Sequence, residues 1–328
     1  MHQEEIRMEY GKILNVDIPV SRILLGTASE PFQSGGDATD ILDAAFGLGI
    51  TAIDTARNYG LAEKSVGDWM EKRRNRDKVV ILSKCSHPDE HSSHRISEKD
   101  IREDFAVSSD LLRTDYIDIY LLHRDVEDVD VSVPIEVLNA LHEEGKIGAF
   151  GASNWSLSRI MEANEYSASH GLIPFAVSSP NYSLAYQAED MWGGSVTISG
   201  PENKDVRDRY ADMHMPVVAH SPMARGFFSG RFTSADKEAA ATSLDEFARK
   251  GFYFEENFER LRRCEIMAAQ KGCTVAQLSL AWLFSSPMNM FAAISTSSPD
   301  RMAQNIAALD IKLTPAERDY LDLVTDTL

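Results

Sequence analysis

The apolar positions of the chain gather in short, nearly unbroken runs, separated by longer stretches with a helical period. The runs are RILLGT (22–27), TAIDT (51–55), VVILSK (79–84), YIDIYLLH (116–123), IGAFGAS (147–153), FAVSS (175–179), PVVAHS (216–221) and FAAISTS (291–297). They are largely non-alternating, as strands buried on both faces of a parallel sheet are. Helix-period patterns run through 38–48, 61–73, 98–112, 134–144, 156–170, 259–270, 275–285 and 299–309. Capping-box sequences open helices at Ser97-Glu98-Lys99-Asp100, Thr274-Val275-Ala276-Gln277 and Thr314-Pro315-Ala316-Glu317, and Ser298-Pro299 opens another.

Eight β-then-α units without a linker, low-complexity tract or internal repeat predict one domain across 1–328, a closed α/β fold of the (β/α)8 TIM barrel type. An open, doubly wound sheet with extra strands is the rival architecture. The YGKIL stretch before the first strand is expected to form a hairpin across the barrel bottom. Residues 185–215 and 223–258 read as long irregular connections on the loop side, at the C-terminal face of the barrel.

Charge narrows the class of partner. A net charge of −18 argues against nucleic acid or an anionic membrane surface. An anionic cofactor then requires a local positive site. Three cysteines (Cys85, Cys264, Cys273) are too few for a disulfide framework and lack zinc-finger spacing, so reduced thiols are expected, with Cys264 and Cys273 as small core fillers on helices. No apolar run reaches the ~20 residues of a membrane span and the first residues contain no signal-like apolar region, which points to a cytoplasmic protein. The acidic residues scattered over the helices read as a solvated outer ring.

In such barrels chemistry sits at the C-terminal ends of the strands. The second strand ends at Asp54, with Tyr59 in the turn beyond it, the third at Lys84 and the fourth at His123. That quartet suits carbonyl reduction. Hydride addition to a carbonyl carbon leaves negative charge on oxygen, and an acid must supply a proton. A free tyrosine, with pKa ~10, is a poor donor; an ammonium beside it lowers that value, and Lys84 is expected to do so for Tyr59. Asp54 would hold Lys84 charged, and His123 would orient and polarise the carbonyl oxygen. Taken singly, each residue has an ordinary structural explanation: a cap, a packing ring, a solvated lysine, a core histidine. Their joint placement on consecutive strands gives the quartet its meaning.

AIDTARNYG, LSK and YLLHRD resemble the tetrad motifs of the aldo-keto reductase family. GASNWS (151–156) is similar to its Gly-x-Ser-Asn signature, AHSPMARGFFSGRF (219–232) to its seventh-strand and cofactor-loop signature, and STSSPDRMAQNIAALDIKLTPAE (295–317) to its nucleotide-binding tail. The resemblance implies Asp54, Tyr59, Lys84 and His123 as the tetrad. It also implies Ser153 and Asn154 as binders of the nicotinamide carboxamide, with Thr27 and Ser179 at neighbouring strand ends. Ser221, Pro222, Met223, Ala224 and Arg231 would line pyrophosphate and ribose, and Thr296, Ser297, Arg301, Gln304 and Asn305 the adenosine end. Independently of the resemblance, Arg301 in the first turn of a helix is suited to a phosphate, which favours the 2′-phosphate of NADPH over NADH, although NADH remains possible.

Some positions depart from the family pattern. Ser179 stands where glutamine is frequent, His220 where an aromatic stacks on the nicotinamide, Ser295 where some members have a phosphate-binding lysine, and Gln304 where many have an acid. No Gly-x-Gly-x-x-Gly follows the first strand, which argues against a Rossmann site. His87, His91 and His94 have metal-compatible spacing, yet the chemistry needs no metal and none is expected. The segment 188–205, with Trp192, either folds over the mouth and shapes the substrate pocket or is a surface loop anchored by its tryptophan.

The expectation is an NADPH-dependent reductase of an aldehyde, ketone or sugar-like carbonyl. The alternative is a nucleotide-sensing regulatory subunit of the same fold, which loss of Tyr59 or Lys84 would have favoured. A metal-dependent isomerase or lyase would need more carboxylates and histidines at strand ends than Asp54 and His123.

Overall fold

A computed structural model of the chain describes residues 7–327. Among the described residues ten strands occur, in the order β1 (Tyr10–Gly11), β2 (Val20–Ser21), β3 (Ile23–Gly26), β4 (Ala52–Asp54), β5 (Val80–Cys85), β6 (Ile117–Leu122), β7 (Ile147–Ser153), β8 (Val177–Ser179), β9 (Pro216–Ala219) and β10 (Asn289–Ile294). β3 to β10 close into a barrel in the order β10-β3-β4-β5-β6-β7-β8-β9. The fold is the (β/α)8 barrel, and the open-sheet rival is excluded.

The strands divide between two compact units. One comprises Glu9–Ser179 with Ala293–Pro299; the other comprises chiefly Pro180–Ala292 and the chain from Asp300. In the first, parallel registers run from Ile53↔Ile81 through Leu82↔Ile119 and Ile119↔Ala149 to Gly151↔Val177. In the second, Val217 pairs with Met290 and Val218 with Phe291. β5, β6 and β7 are buried at every position, which explains their unbroken apolar sequences. Two glycines permit close backbone approach. A Cβ on Gly151 would lie 1.9 Å from the Val177 carbonyl oxygen, and one on Gly67 2.2 Å from that of Leu111, where helix Ala62–Arg73 meets helix Glu98–Leu112.

β1 and β2 form the expected hairpin (Tyr10↔Ser21, Gly11↔Val20). It adjoins the start of β4: Ser21 Oγ accepts the backbone N–H groups of Thr51 and Ala52 at 3.1 and 3.2 Å. The three capping boxes form, at Ser97/Asp100, Thr274/Gln277 and Thr314/Glu317.

Four expectations need correction. The tract 185–215 contains helix Lys204–Met213, and 223–258 contains helices Lys237–Ser243 and Glu246–Phe252. Lys204–Met213 buries only Tyr210, so it has no apolar stripe to announce it. The last strand ends at Ile294, which leaves Thr296 and Ser297 in the connection beyond it. Cys264 is a buried helix residue as expected, but Cys273 lies past helix Glu255–Lys271 and is only partly buried. Finally, Glu63 and Asp104, read as members of a solvated ring, are buried on the inner faces of their helices. Among the described residues no helix is long and apolar enough to cross a membrane.

Candidate active site

The strand-end quartet meets within the unit that spans Glu9–Ser179. Lys84, the penultimate residue of β5, and Asp54, the last of β4, are joined by a 2.6 Å ion pair with both side chains buried. The Lys84 ammonium also donates to the Thr55 carbonyl at 2.9 Å and to the Tyr59 hydroxyl at 3.3 Å, and lies 4.8 Å from the Tyr59 ring centre. His123, just past β6, meets the Tyr59 ring edge-to-face at 5.7 Å. The His123 backbone carbonyl accepts hydrogen bonds from Asn154 Nδ2 at 3.3 Å and Arg124 Nη1 at 3.1 Å.

Electrostatics at this centre differ from the sequence expectation in one respect. Burial raises the Tyr59 hydroxyl, Lys84 lowers it and Asp54 raises it again; the net direction is above the ordinary tyrosine value. The ammonium therefore acts as expected but does not prevail over desolvation, which a sequence does not reveal. Burial depresses the Lys84 ammonium, but Asp54 and Tyr59 more than offset it, and its net direction is upward. The centre thus holds a protonated phenol beside a firmly charged lysine.

The other residues of this unit cluster at adjoining strand ends. Thr27, after β3, donates through both its backbone N–H and its hydroxyl to the Asp54 carbonyl, at 3.0 Å each. Ser153 Oγ donates to the Ser179 carbonyl at 2.9 Å, as does the Asn154 backbone N–H at 3.2 Å, and Asn154 Nδ2 reaches Ser153 Oγ at 3.1 Å. Ser153, Asn154 and Ser179 therefore form one buried group offering both donors and acceptors. Thr296 and Ser297 follow β10, beside an exposed Ser295 whose hydroxyl a Cβ on Gly26 would meet at 2.8 Å.

The second unit carries the rest. Past β9 come His220, Ser221, Pro222, Met223 and Ala224, and the backbone there is unusual: Ser221, Ala224 and Arg225 have φ near +50° and Gly226 has +94°. Non-glycine residues in this region are costly and persist where the surroundings impose them, often at ligand sites. Consecutive turned residues also direct N–H groups into anion-binding concavities. Arg231 lies against Gly226, where a Cβ would meet its guanidinium at 2.4 Å, and bonds Ser229 Oγ at 3.1 Å. The His220 ring packs on Trp192 at 5.9 Å. Trp192 rides on a turn in which the Asp190 carboxylate accepts the backbone N–H groups of Trp192, Gly193, Gly194 and Ser195. Arg225 lies 5.4 Å from the Trp192 ring and pairs with Asp245 at 2.6 Å. Helix Pro299–Ala307 presents Arg301 and Gln304 to solvent and buries Asn305.

Some residues at the site carry no mark of chemistry in the sequence. Arg124 touches the His123 carbonyl, and Glu63 accepts a 2.6 Å hydrogen bond from Ser83, the neighbour of Lys84. By spacing, the sequence offers His87 only as a metal ligand with His91 and His94. The three separate: His87 packs on His123, His91 faces Glu90 and His94 faces Asp128. Only the place of His87, three residues after a strand-end lysine, could have signalled its position.

The sequence model of the Aldo/keto reductase family matches residues 22–326. The chain belongs to that family, and is an NAD(P)H-dependent carbonyl reductase by class. It is similar to the NADH-specific methylglyoxal reductase of Escherichia coli, at 27% identity covering 95% of this chain and 97% of that one. The protein tas of E. coli is also 27% identical, with 94% of each chain covered. The versiconal hemiacetal acetate reductase of Aspergillus parasiticus is 26% identical, with 96% of each covered.

Proposed function

We propose that the chain is a cytoplasmic enzyme that reduces an aldehyde, ketone or sugar-like carbonyl to an alcohol, prefers NADPH, and uses Tyr59 as general acid. The observation that carries this reading is the buried Lys84 ammonium in contact with both Asp54 and the Tyr59 hydroxyl. When bound, the reduced nicotinamide supplies the hydride. The chain's own residues then manage charge and protons. As the carbonyl oxygen gains charge, Tyr59 gives up its proton, and the phenolate left behind is stabilised by Lys84. Asp54 keeps Lys84 charged and the Thr55 carbonyl fixes its position. His123, held against the Tyr59 ring, orients the carbonyl oxygen.

The residues present fit a nicotinamide dinucleotide. A carboxamide needs a donor and an acceptor, and Ser153, Asn154 and Ser179 offer both. The left-handed run through Ser221, Ala224 and Arg225 suits a pyrophosphate, with Pro222, Met223 and Arg231 around it and His220 for the ring. Thr296, Ser297, Gln304 and Asn305 serve the adenosine, and exposed Arg301 in the first turn of its helix suits a 2′-phosphate. The NADH-specific relative makes cofactor choice a point for direct test.

The test is to mix the chain with NADPH or NADH and a panel of aldehydes, ketones and aldoses, and follow loss of reduced-nicotinamide absorbance. Turnover with NADPH is expected. Tight cofactor binding without turnover of any carbonyl would instead mark a nucleotide-sensing subunit.

A further inference from the structure

The loop after β5 places a second imidazole at the tetrad. Ser86, in the left-handed region with φ +62°, redirects the chain, and its backbone N–H is held by Asp104 Oδ2 at 2.9 Å. Asp104 is in turn paired with Arg95, so the loop is braced from the helix Glu98–Leu112. The next ring, His87, meets His123 edge-to-face with centres 5.0 Å apart. Tyr59, His123 and His87 thus form a continuous row of rings.

The tautomer of His87 follows from its hydrogen bond. Nδ1 lies 2.7 Å from the Pro88 carbonyl oxygen, which can only accept, so Nδ1 carries the proton. In the neutral ring Nε2 is then an acceptor. The surroundings keep the ring neutral: burial, Arg124 beside His123, and Arg95 on its own loop oppose a charge, against the Pro88 bond and Asp104, and the net direction is below the ordinary histidine value. Near neutral pH the ring packed against His123 therefore carries an acceptor at its Nε2.

We propose that His87 is a specificity-determining residue: its Nε2 accepts a hydrogen bond from a hydroxyl on the carbon adjacent to the reacting carbonyl, so that the preferred substrates are α-hydroxy aldehydes and ketones. This rests on the reading of the tetrad as a carbonyl-reducing centre, and narrows its substrate class. The two oxygens of an α-hydroxy carbonyl lie about one hydrogen-bond length apart, which suits two imidazoles in ring contact. A carbonyl without that hydroxyl leaves the acceptor unsatisfied when water is excluded, a defect that binding sites discriminate against.

The experiment compares matched substrates, 2-hydroxypropanal with propanal and hydroxyacetone with acetone, by kcat/KM for the parent, His87→Phe and His87→Gln. The hydroxyl alters intrinsic reactivity equally for every variant, so the informative quantity is the change in the hydroxy-to-deoxy ratio. Phenylalanine keeps a ring against His123 and removes the acceptor; the ratio is expected to fall about tenfold. Glutamine restores an acceptor and should recover part of it. A reading that needs no variant accompanies these. In the parent, the ratio should fall as pH drops below ~6.5 and through the His87 pKa, because the acceptor then becomes a donor; a change that does not involve the hydroxyl acts on both members of a pair. A ratio unchanged in His87→Phe, or flat with pH in the parent, would overturn the assignment. Turnover of other carbonyls but of neither hydroxy substrate would overturn the assignment and leave the reductase reading standing; no turnover of any carbonyl would remove the reductase reading, and this inference with it.

Discussion

Two ion pairs of equal length, one in each unit, lie in opposite surroundings. Lys84–Asp54 and Arg225–Asp245 both measure 2.6 Å, but the side chains of the first are 3% and 9% exposed and those of the second 30% and 49%. At Lys84–Asp54 the charges are desolvated, bonded to one another, and joined to a phenol. Arg225–Asp245 is a half-exposed pair beside a left-handed backbone run and a tryptophan. A buried centre of this kind suits moving a proton; the open one suits a loop that receives a charged ligand. The same bond length carries different energies because water is absent from one pair and present at the other.

The largest effect is expected where the buried pair is broken. Lys84→Met leaves the Asp54 carboxylate buried without its partner, at a cost of about 3–5 kcal/mol. Lys84→Met with Asp54→Asn removes the uncompensated charge and should recover much of that stability, though not the activity. Urea unfolding of the two variants measures both values. A loss below about 1 kcal/mol in the single variant would mean that water reaches the pair.

Tyr59→Phe comes next. It removes the proposed proton donor and leaves the ion pair intact, so turnover should fall by ~10²–10⁴ while NADPH affinity stays nearly unchanged. Turnover within a few-fold of the parent would remove Tyr59 as the acid. The pH profile tests the same group. Reduction needs the protonated phenol, and a raised pKa keeps that form populated above neutrality. The rate that depends on this acid should therefore be lost only as pH rises past the ordinary tyrosine value of ~10. An alkaline loss centred well below that would show Lys84 prevailing over burial in the working complex.

The two regions were also unequally legible in the sequence. Asp54, Lys84 and His123 could be placed because strand ends are marked by where an apolar run stops, and their chemistry is written in the side chains. The direction of the Tyr59 shift was not legible, because sequence names a partner but not the water that burial removes. Glu63 and Asp104 look like any surface acid until the buried serine and backbone groups they bond are known. Helix Lys204–Met213 was invisible because one buried tyrosine makes no periodicity. Around β9 the motif was readable, but the left-handed backbone at Ser221, Ala224 and Arg225 was not: only Gly226 advertises such a conformation. His87 was legible as a histidine and illegible as a neighbour of His123, since the turn at Ser86 is what brings the two rings together.

Arg301→Ala probes the open region with an intermediate effect. A guanidinium contact with the 2′-phosphate should be worth roughly 1.5–3 kcal/mol, lost for NADPH and not for NADH. Titrating both cofactors into parent and variant measures the difference. Equal losses would assign Arg301 to its helix and leave the choice between cofactors to other residues.

The smallest effect is expected at the exposed pair itself. Asp245 accepts from Arg225 and also caps helix Glu246–Phe252 through the Ala248 N–H at 2.7 Å. Asp245→Asn removes the charge and preserves a capping oxygen. Arg225 stays 5.4 Å from the Trp192 ring and 5.5 Å from that of Phe247, contacts that do not depend on the carboxylate. The stability loss should therefore be no more than about 0.2–1 kcal/mol, and should shrink with added salt. Asp245→Ala, which also deletes the cap, should cost about 1 kcal/mol more. Unfolding curves at two ionic strengths for both variants separate charge from cap. If Asp245→Asn proved as costly as Lys84→Met, and insensitive to salt, burial would not be what distinguishes the two pairs, and the loop around Arg225 would belong with the rigid part of the molecule.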